Sequence, residues 1–546
     1  MSFEIRDRDL LARIGKIKTK SGVLETPSLL PVINPAIQPI PPRKMSELNN
    51  CKALITNAYI IKKHFRNNAI QRGIHDLLDF DGVLMTDSGA YQILVYGDIK
   101  TSPAEIVRYQ EEINTDIATI LDVPTGWEVA REYAQQTIRK TLQRARRLPK
   151  MKTRDDIVWV GPVQGGNYLD LVARSAKEMG KLPFEIHALG SPTPVMEQYL
   201  FDTLVDMVLT AKMNLPLDRP LHLFGAGHPF MFALAVAMGC DLFDSAAYAI
   251  YARKDRYMTE YGTAKLGKLA YFPCSCSVCS SIDPKKLRET PKDQREKLLA
   301  QHNLNVCFSE IRRIRQAVVE GRLWEHLETR AHGHPSLFQA LKRLRRYEHY
   351  FERSSPVVKK RGLFFFDHAG LARPEIVRHR KRLFENYLPP REAKTLVLLP
   401  QTTTRPFHKA AEQRRLAKAI QQKIGMRARE IHICTYAAPF GVVPVEIDEV
   451  YPLSQYESPD SLDAETIDAV AEQVENYIVK ANYDGIILLQ RPETWKGQIV
   501  AACKRACREK DLPLATFRMR HLLSENELDD ILAVIQEAVS EKLRPA

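Results

Sequence analysis

The chain lacks long apolar runs: none of its stretches approaches the ~20 residues needed to cross a bilayer. Its opening, MSFEIRDRDLLARIGKIK, also lacks the uninterrupted apolar segment of a secretory signal, so the cytoplasm is the expected compartment. Cysteine is sparse at nine residues, and three of the nine fall within one hexapeptide, which argues against a disulfide framework and for a metal. Repeats and low-complexity tracts are absent, and no G-x-G-x-x-G fingerprint follows the first strand candidate, which weakens a doubly wound open sheet. What is present is the profile of a packed protein, 45% hydrophobic and 27% charged. Lys plus Arg is 79 against 66 Asp plus Glu, a formal net charge of +13 that favours a polyanionic partner. A length of 546 residues exceeds the ~250 to 300 of a single core, so two to four units are expected.

Through the first 270 residues short apolar runs alternate with longer amphipathic stretches, as strands and helices would. Eight strand candidates follow: Ser28 to Ile33, Ala53 to Asn57, Val83 to Asp87, Ile117 to Asp122, Ile157 to Val163, Phe184 to Gly190, Leu221 to Gly225 and Cys240 to Asp244. Most are too uniformly apolar to be half-exposed, and eight such units fit the size of a parallel (β/α)8 TIM barrel. Residues 1–353 are therefore expected to form a barrel with a metal region at about 270–350. Residues 354–392 read as a linker, SSPVVKKR, and a small basic module with Arg378, Arg380, Lys381 and Arg382. Residues 393–546 read as a smaller α/β domain, with strands in LVLLP, EIHIC and DGIILL and a closing helix from Glu525 to Leu543.

On a parallel barrel the chemistry belongs at the C-terminal strand ends. Asp87, Asp122, Gln164, Gly190 and Asp244 all meet that positional test. Singly, an aspartate there more often caps a helix or turn. Three carboxylates meeting at one mouth would instead repel and raise at least one pKa, which suits a site needing both an ionised nucleophile and a proton donor. Beside Asp87, the Ser88-Gly89-Ala90-Tyr91 run supplies a permissive backbone and an aromatic able to stack on a flat base, although Tyr91 alone reads equally as core. Gln164 offers two donors and an acceptor to a purine edge. Cys274, Cys276 and Cys279 form C-x-C-x2-C, and with His302 they make the closed Cys3His shell of a structural Zn2+ site; Cys307, His332 and His334 are alternatives for the fourth ligand. Cys51, Cys240, Cys434, Cys503 and Cys507 read as buried, idle thiols.

The blocks MTDSGAYQ, ILDVPTGWE, PVQGGNYLDL, HLFGAGHP, FDSAAYAIYARKDRYMT and YFPCSCSVCS, in that order between Arg6 and Leu337, resemble the archaeal tRNA-guanine transglycosylases of archaeosine biosynthesis. The resemblance implies a zinc-containing barrel that exchanges guanine-15 in the D-arm of tRNA for the free base 7-cyano-7-deazaguanine. It carries the nucleophile to Asp244 and the general acid/base to Asp87, the division between the two being left open. It carries base recognition to Asp122 and Gln164, stacking to Tyr91, and the rest of the pocket to Ser88, Gly190 and Ser191, where Ser191 stands in place of an expected second glycine. It also implies a homodimer. No PUA domain is recognised, so a separate chain is the expected source of one. Instead TYAAPFGVVPVEIDEVYP, Thr435 to Pro452, resembles the paralogous archaeosine synthases, but Gln401 stands where their cysteine would be and Arg405-Pro406-Phe407 replaces Lys-Pro-Tyr, which argues against synthase activity. A silent tRNA-binding subunit is the other reading, weakened by the presence of all three aspartates.

Overall fold

The computed structural model describes residues 3–90, 101–519 and 525–539, and the chain separates into two compact units, Met1–Leu344 and Arg345–Ala546. In the first unit β1 (Glu4–Asp9), β2 (Ala12–Thr19) and β3 (Gly22–Glu25) form an antiparallel sheet ahead of the barrel. The barrel strands are β4 (Ser28–Ile33), β5 (Ala53–Asn57), β6 (Val83–Asp87), β7 (Ile117–Thr119), β8 (Val158–Val163), β9 (Ile186–Leu189), β10 (Leu221–Leu223) and β11 (Leu242–Ser245). All eight run parallel and close, β9 pairing with β10 and β11 with β4. The expected barrel is thus borne out, and three strands have the anticipated bounds.

Leu30, Ile55, Met85, Ile117, Val160, Ile186 and Leu242 pack together with Ile17 and Leu24 of the N-terminal sheet. The cluster includes Ala53 and Val83, the first residues of β5 and β6, which places that sheet against the N-terminal end of the barrel. The C-terminal end is then the open rim, where the βα loops of such a fold gather. No sequence signal had marked this sheet as a plug: β1 alternates in burial as any half-exposed strand does, and β2 buries its first four residues. Beyond the barrel, β12 (Arg256–Thr259) and β13 (Gly262–Lys265) form a hairpin, and a long helix spans Lys292–Glu320.

In the second unit β14 (Leu363–Phe364) pairs with β18 (Tyr456–Glu457), and β15 (Thr395–Pro400), β16 (Ile431–Ala437), β17 (Gly441–Pro444), β19 (Gly485–Gln490) and β20 (Leu514–Arg518) form a sheet of order β17-β16-β15-β19-β20. Helices Ala464–Lys480 and Gln498–Lys510 share one apolar cluster with it, and helix Ala411–Ile424 packs in another. Two sequence expectations change here. Lys359, in the segment read as a linker, is 3% exposed and its ammonium lies 2.5 Å from a Glu375 carboxylate oxygen, a pairing that makes burial tolerable. The residues read as a small basic module are partly internal struts: Arg378 pairs with Glu352 and bonds the Pro356 and Ser355 carbonyls, and Arg380 donates to the Pro439 carbonyl. Arg382 is exposed, and Lys381, partly exposed, lies 3.7 Å from a Glu352 carboxylate oxygen. Within the described residues no helix is long and apolar enough to cross a membrane.

Candidate active site and metal centre

Three carboxylates stand at the open rim on strands or loops far apart in sequence. Asp87 ends β6, its neighbour in the ladder being Asn57 at the end of β5. The Asn57 amide donates to Asp87 Oδ2 at 3.1 Å, and the Gly89 backbone N–H donates to the same oxygen at 3.2 Å. Gly89 has φ +93°, and a side chain there would strike Tyr59, so the turn that returns its N–H to Asp87 needs glycine. Asp87 titrates at about 7, far above the usual carboxyl range. Burial is the main cause, the charges of Asp122 and Asp244 add to it, and the N–H groups of Gly89 and Ser88 oppose it. Those couplings place the three aspartates around one space. Ser88 is fully buried, and its hydroxyl has no hydrogen-bond partner among the described residues. Tyr91 lies outside the described residues.

Asp122, three residues past β7, is held by Gln164, whose amide donates to its Oδ2 at 2.5 Å. Burial raises Asp122 to about 6, with Gln164 and Arg144 opposing. Gln164 Oε1 in turn accepts the Thr125 backbone N–H at 2.9 Å and the Ser191 hydroxyl at 3.3 Å, so its amide orientation follows from its partners. Gly190 is where the backbone must pass this amide, since a methyl group there would overlap it. The next residue, Ser191, adopts φ +63°, a left-handed conformation in which glycine is easier than any other residue. A second glycine was the expectation at this position, and the backbone geometry is the one such a residue would serve.

Asp244 lies on β11 with a side chain 13% exposed. Its Oδ1 accepts two hydrogen bonds, from His222 Nε2 at 2.9 Å and from the Gly225 backbone N–H at 3.0 Å. His222 and Asn57 had escaped the sequence reading. Asn57 satisfies the strand-end criterion and could have been found by it. His222 sits inside β10, where nothing in the local pattern separates a positioning imidazole from a filler of the barrel wall.

A separate cluster joins Cys274, Cys276, Cys279 and His302, all four ligand atoms lying within 4.8 Å of one another. His302 Nδ1 is 3.5 Å from Cys276 Sγ and 3.3 Å from Cys279 Sγ, near the ~3.5 Å edge of a tetrahedron built on typical zinc bond lengths. The ring is oriented for that role, because its Nε2 meets the Met258 carbonyl at 2.9 Å and Tyr257 stacks on it with centroids 3.7 Å apart. The donor set therefore fits a metal ion. Of the alternative ligands, Cys307 contacts the Gly227 carbonyl and His332 the Glu328 carbonyl, and neither joins the cluster. Cys51, Cys240, Cys434, Cys503 and Cys507 are buried, as expected.

A closed parallel barrel with acidic groups and a directed amide around its C-terminal rim has the arrangement of a barrel enzyme, whose chemistry sits at that end. The chain belongs to the Queuine tRNA-ribosyltransferase family, whose model matches residues 8–336. Residues 376–534 match a domain of unknown function (DUF5591). Among similar proteins, the tRNA-guanine(15) transglycosylase of Methanocaldococcus jannaschii is 43% identical over 477 residues, 85% of this chain and 70% of the relative. That of Saccharolobus solfataricus is 41% identical over 497 residues, 89% of this chain and 96% of the relative. That of Pyrococcus furiosus is 46% identical over 384 residues, 70% and 65% respectively.

Proposed function

We propose that the chain is a tRNA-guanine(15) transglycosylase that replaces the guanine with 7-cyano-7-deazaguanine through a covalent aspartyl–ribose intermediate. The observation that carries this reading is the unequal treatment of two carboxylates at one rim. Asp244 has one oxygen, Oδ1, held by two N–H donors, while its Oδ2 accepts none among the described residues, as a carboxylate directed for attack requires. Asp87 is pushed up to about 7, where it can hold a proton at neutral pH and also release it. Asp244 Oδ2 attacks ribose C1′, the glycosidic bond breaks, and its electron pair leaves on the guanine, which takes the proton from Asp87. The incoming base then returns a proton to Asp87 as it attacks C1′ and frees Asp244. The exchange needs no external energy, since one glycosidic bond replaces another.

Asp122 and the Gln164 amide, already joined to each other, face the edge of the purine. Ser88, Gly190 and Ser191 complete the pocket, and Ser88 brings a buried hydroxyl whose hydrogen-bonding capacity is unspent among the described residues. Tyr91 is the stacking candidate. Cys274, Cys276, Cys279 and His302 would hold one structural Zn2+, which ties the loop 274–279 to helix Lys292–Glu320 and leaves no position open for catalysis. A homodimer, a separate PUA-domain chain and a cytoplasmic location complete the reading.

The test is incubation with a tRNA transcript and radiolabelled guanine, followed by competition with 7-cyano-7-deazaguanine. Label should enter native tRNA and be displaced by the competitor, and Asp244→Ala should incorporate none while it folds and binds tRNA. Full incorporation by that variant would remove Asp244 from the role.

A further inference from the structure

We infer that His222 is a positioning residue for the transfer step: its Nε2–H holds Asp244 Oδ1, so that Oδ2 alone is presented to the ribose. The inference rests on the function proposed above. His222 has a fully buried side chain, and its Nδ1 is enclosed without a hydrogen-bond partner among the described residues. A proton on Nδ1 would be an orphaned donor in a desolvated site, a costly arrangement, so the ring's single proton belongs on Nε2. From there it donates to Asp244 Oδ1 at 2.9 Å. The second donor to that oxygen, the Gly225 N–H at 3.0 Å, follows His222 by three residues on the same β10 loop, so one strand end grips one oxygen from two sides. Asp244 Oδ2 accepts no hydrogen bond among the described residues. Phe224, with its ring centroid 4.7 Å from that of His222, limits the freedom of the imidazole.

Two consequences follow from this arrangement. Rotation of the carboxylate about its Cβ–Cγ bond would exchange the held and the free oxygen, and two directed donors oppose it. The pair of electrons that forms the C1′ bond therefore comes from a known atom, Oδ2, in a fixed direction, which is the orientation that makes an intramolecular attack efficient. Both donors remain attached to Oδ1 when Oδ2 becomes an ester oxygen, and both still stabilise the carboxylate that departs when the incoming base displaces it. A contact of this kind acts on the chemical step more than on substrate binding.

The experiment compares His222→Leu, His222→Gln and His222→Asn in the full chain, with a tRNA transcript and radiolabelled guanine. Glutamine carries an amide N–H near the place of Nε2, asparagine is too short to reach it, and leucine fills the volume without a donor. We expect His222→Leu and His222→Asn to lower kcat about 10²-fold with KM for tRNA within about threefold of native, and His222→Gln to recover most of the loss. A role confined to filling the barrel wall predicts the reverse order, with leucine tolerated best. Leucine matching or exceeding glutamine overturns the inference, as does an unchanged kcat. Should leucine fail to fold, the glutamine and asparagine variants decide, and equal activity in those two overturns it. The native chain and Asp244→Ala are assayed beside them: no exchange by the native chain sinks the proposed function itself, exchange surviving in Asp244→Ala removes the nucleophile that His222 is argued to position, and an inactive Asp244→Ala with a fully active His222→Leu sinks only the role of the histidine.

Discussion

At Asp87 a carboxyl is asked to stay protonated in water at a pH where most aspartates have long been ionised. Burial beside two other acidic groups is the cause, and it carries a stability cost with a definite sign. Because the folded-state value, about 7, is above the ordinary 3.8, the unfolded chain loses its proton first, and stability falls as pH rises from about 4 to about 7. Asp87→Asn keeps the shape and the acceptor for Asn57 and Gly89 but removes the ionisation. Its melting temperature should match native below pH 4, exceed it increasingly up to pH 7, and hold that margin at pH 8, while exchange is lost. A margin independent of pH would mean that Asp87 carries no such strain. Oδ2 of Asp87 is also hydrogen-bonded, yet burial and like charge overcome those contacts. At Asp244 what the structure sets is direction, since His222 and Gly225 both hold Oδ1.

Among the elements, the loop after β9 and the metal loop each turn on a local requirement that can be removed by one atom. A methyl group at Gly190 would meet the Gln164 amide, which is otherwise held by Asp122, Thr125 and Ser191. Gly190→Ala should therefore leave the fold and tRNA affinity near native and raise KM for the free base by roughly tenfold, the scale of one misplaced hydrogen-bonding group. Equal KM values would show that the amide does not face the base. For the metal loop, Cys276→Ser replaces a soft anionic ligand with a poor one. Elemental analysis should find about one zinc per native chain and much less in the variant, with a lowered melting temperature, because binding energy at such a site is folding energy. Native protein free of metal after purification without chelators would end the zinc assignment.

Across the whole molecule, fewer of the 79 basic residues are available than the count implies, since Arg13 is buried against Asp241, Arg330 against Glu310, and Arg378 against Glu352. What remains exposed includes Arg139, Arg147 and Lys150 on helix Arg131–Met151, which follows the loop bearing Asp122. Polyanion affinity depends on such free cations through released counterions. Changing those three to glutamate should weaken tRNA binding and lower the slope of log affinity against log salt by about one unit for each phosphate that is no longer neutralised. An unchanged slope would leave them as solvated charge.

Much of this was legible in the primary structure because it is local or periodic. Uniformly apolar strands of regular spacing specify a parallel barrel, and the barrel in turn specifies that polar residues at strand ends share a rim, which is how Asp87, Asp122, Gln164 and Asp244 could be named. The C-x-C-x2-C triplet is a metal signature by spacing alone. His302 needed the fold, since helix Lys292–Glu320 has to bring it back across the hairpin β12–β13 to the thiols. The closing of the barrel's far end by Ile17 and Leu24, the burial of Lys359 and Arg378, and the unequal fates of Asp87 and Asp244 were likewise decided by tertiary contacts. Sequence determines which chemical groups exist and which face of each element they occupy. Their ionisation, and which oxygen of a carboxylate is free, depend on short distances between groups on different strands, well separated in the chain, and only the folded chain sets those.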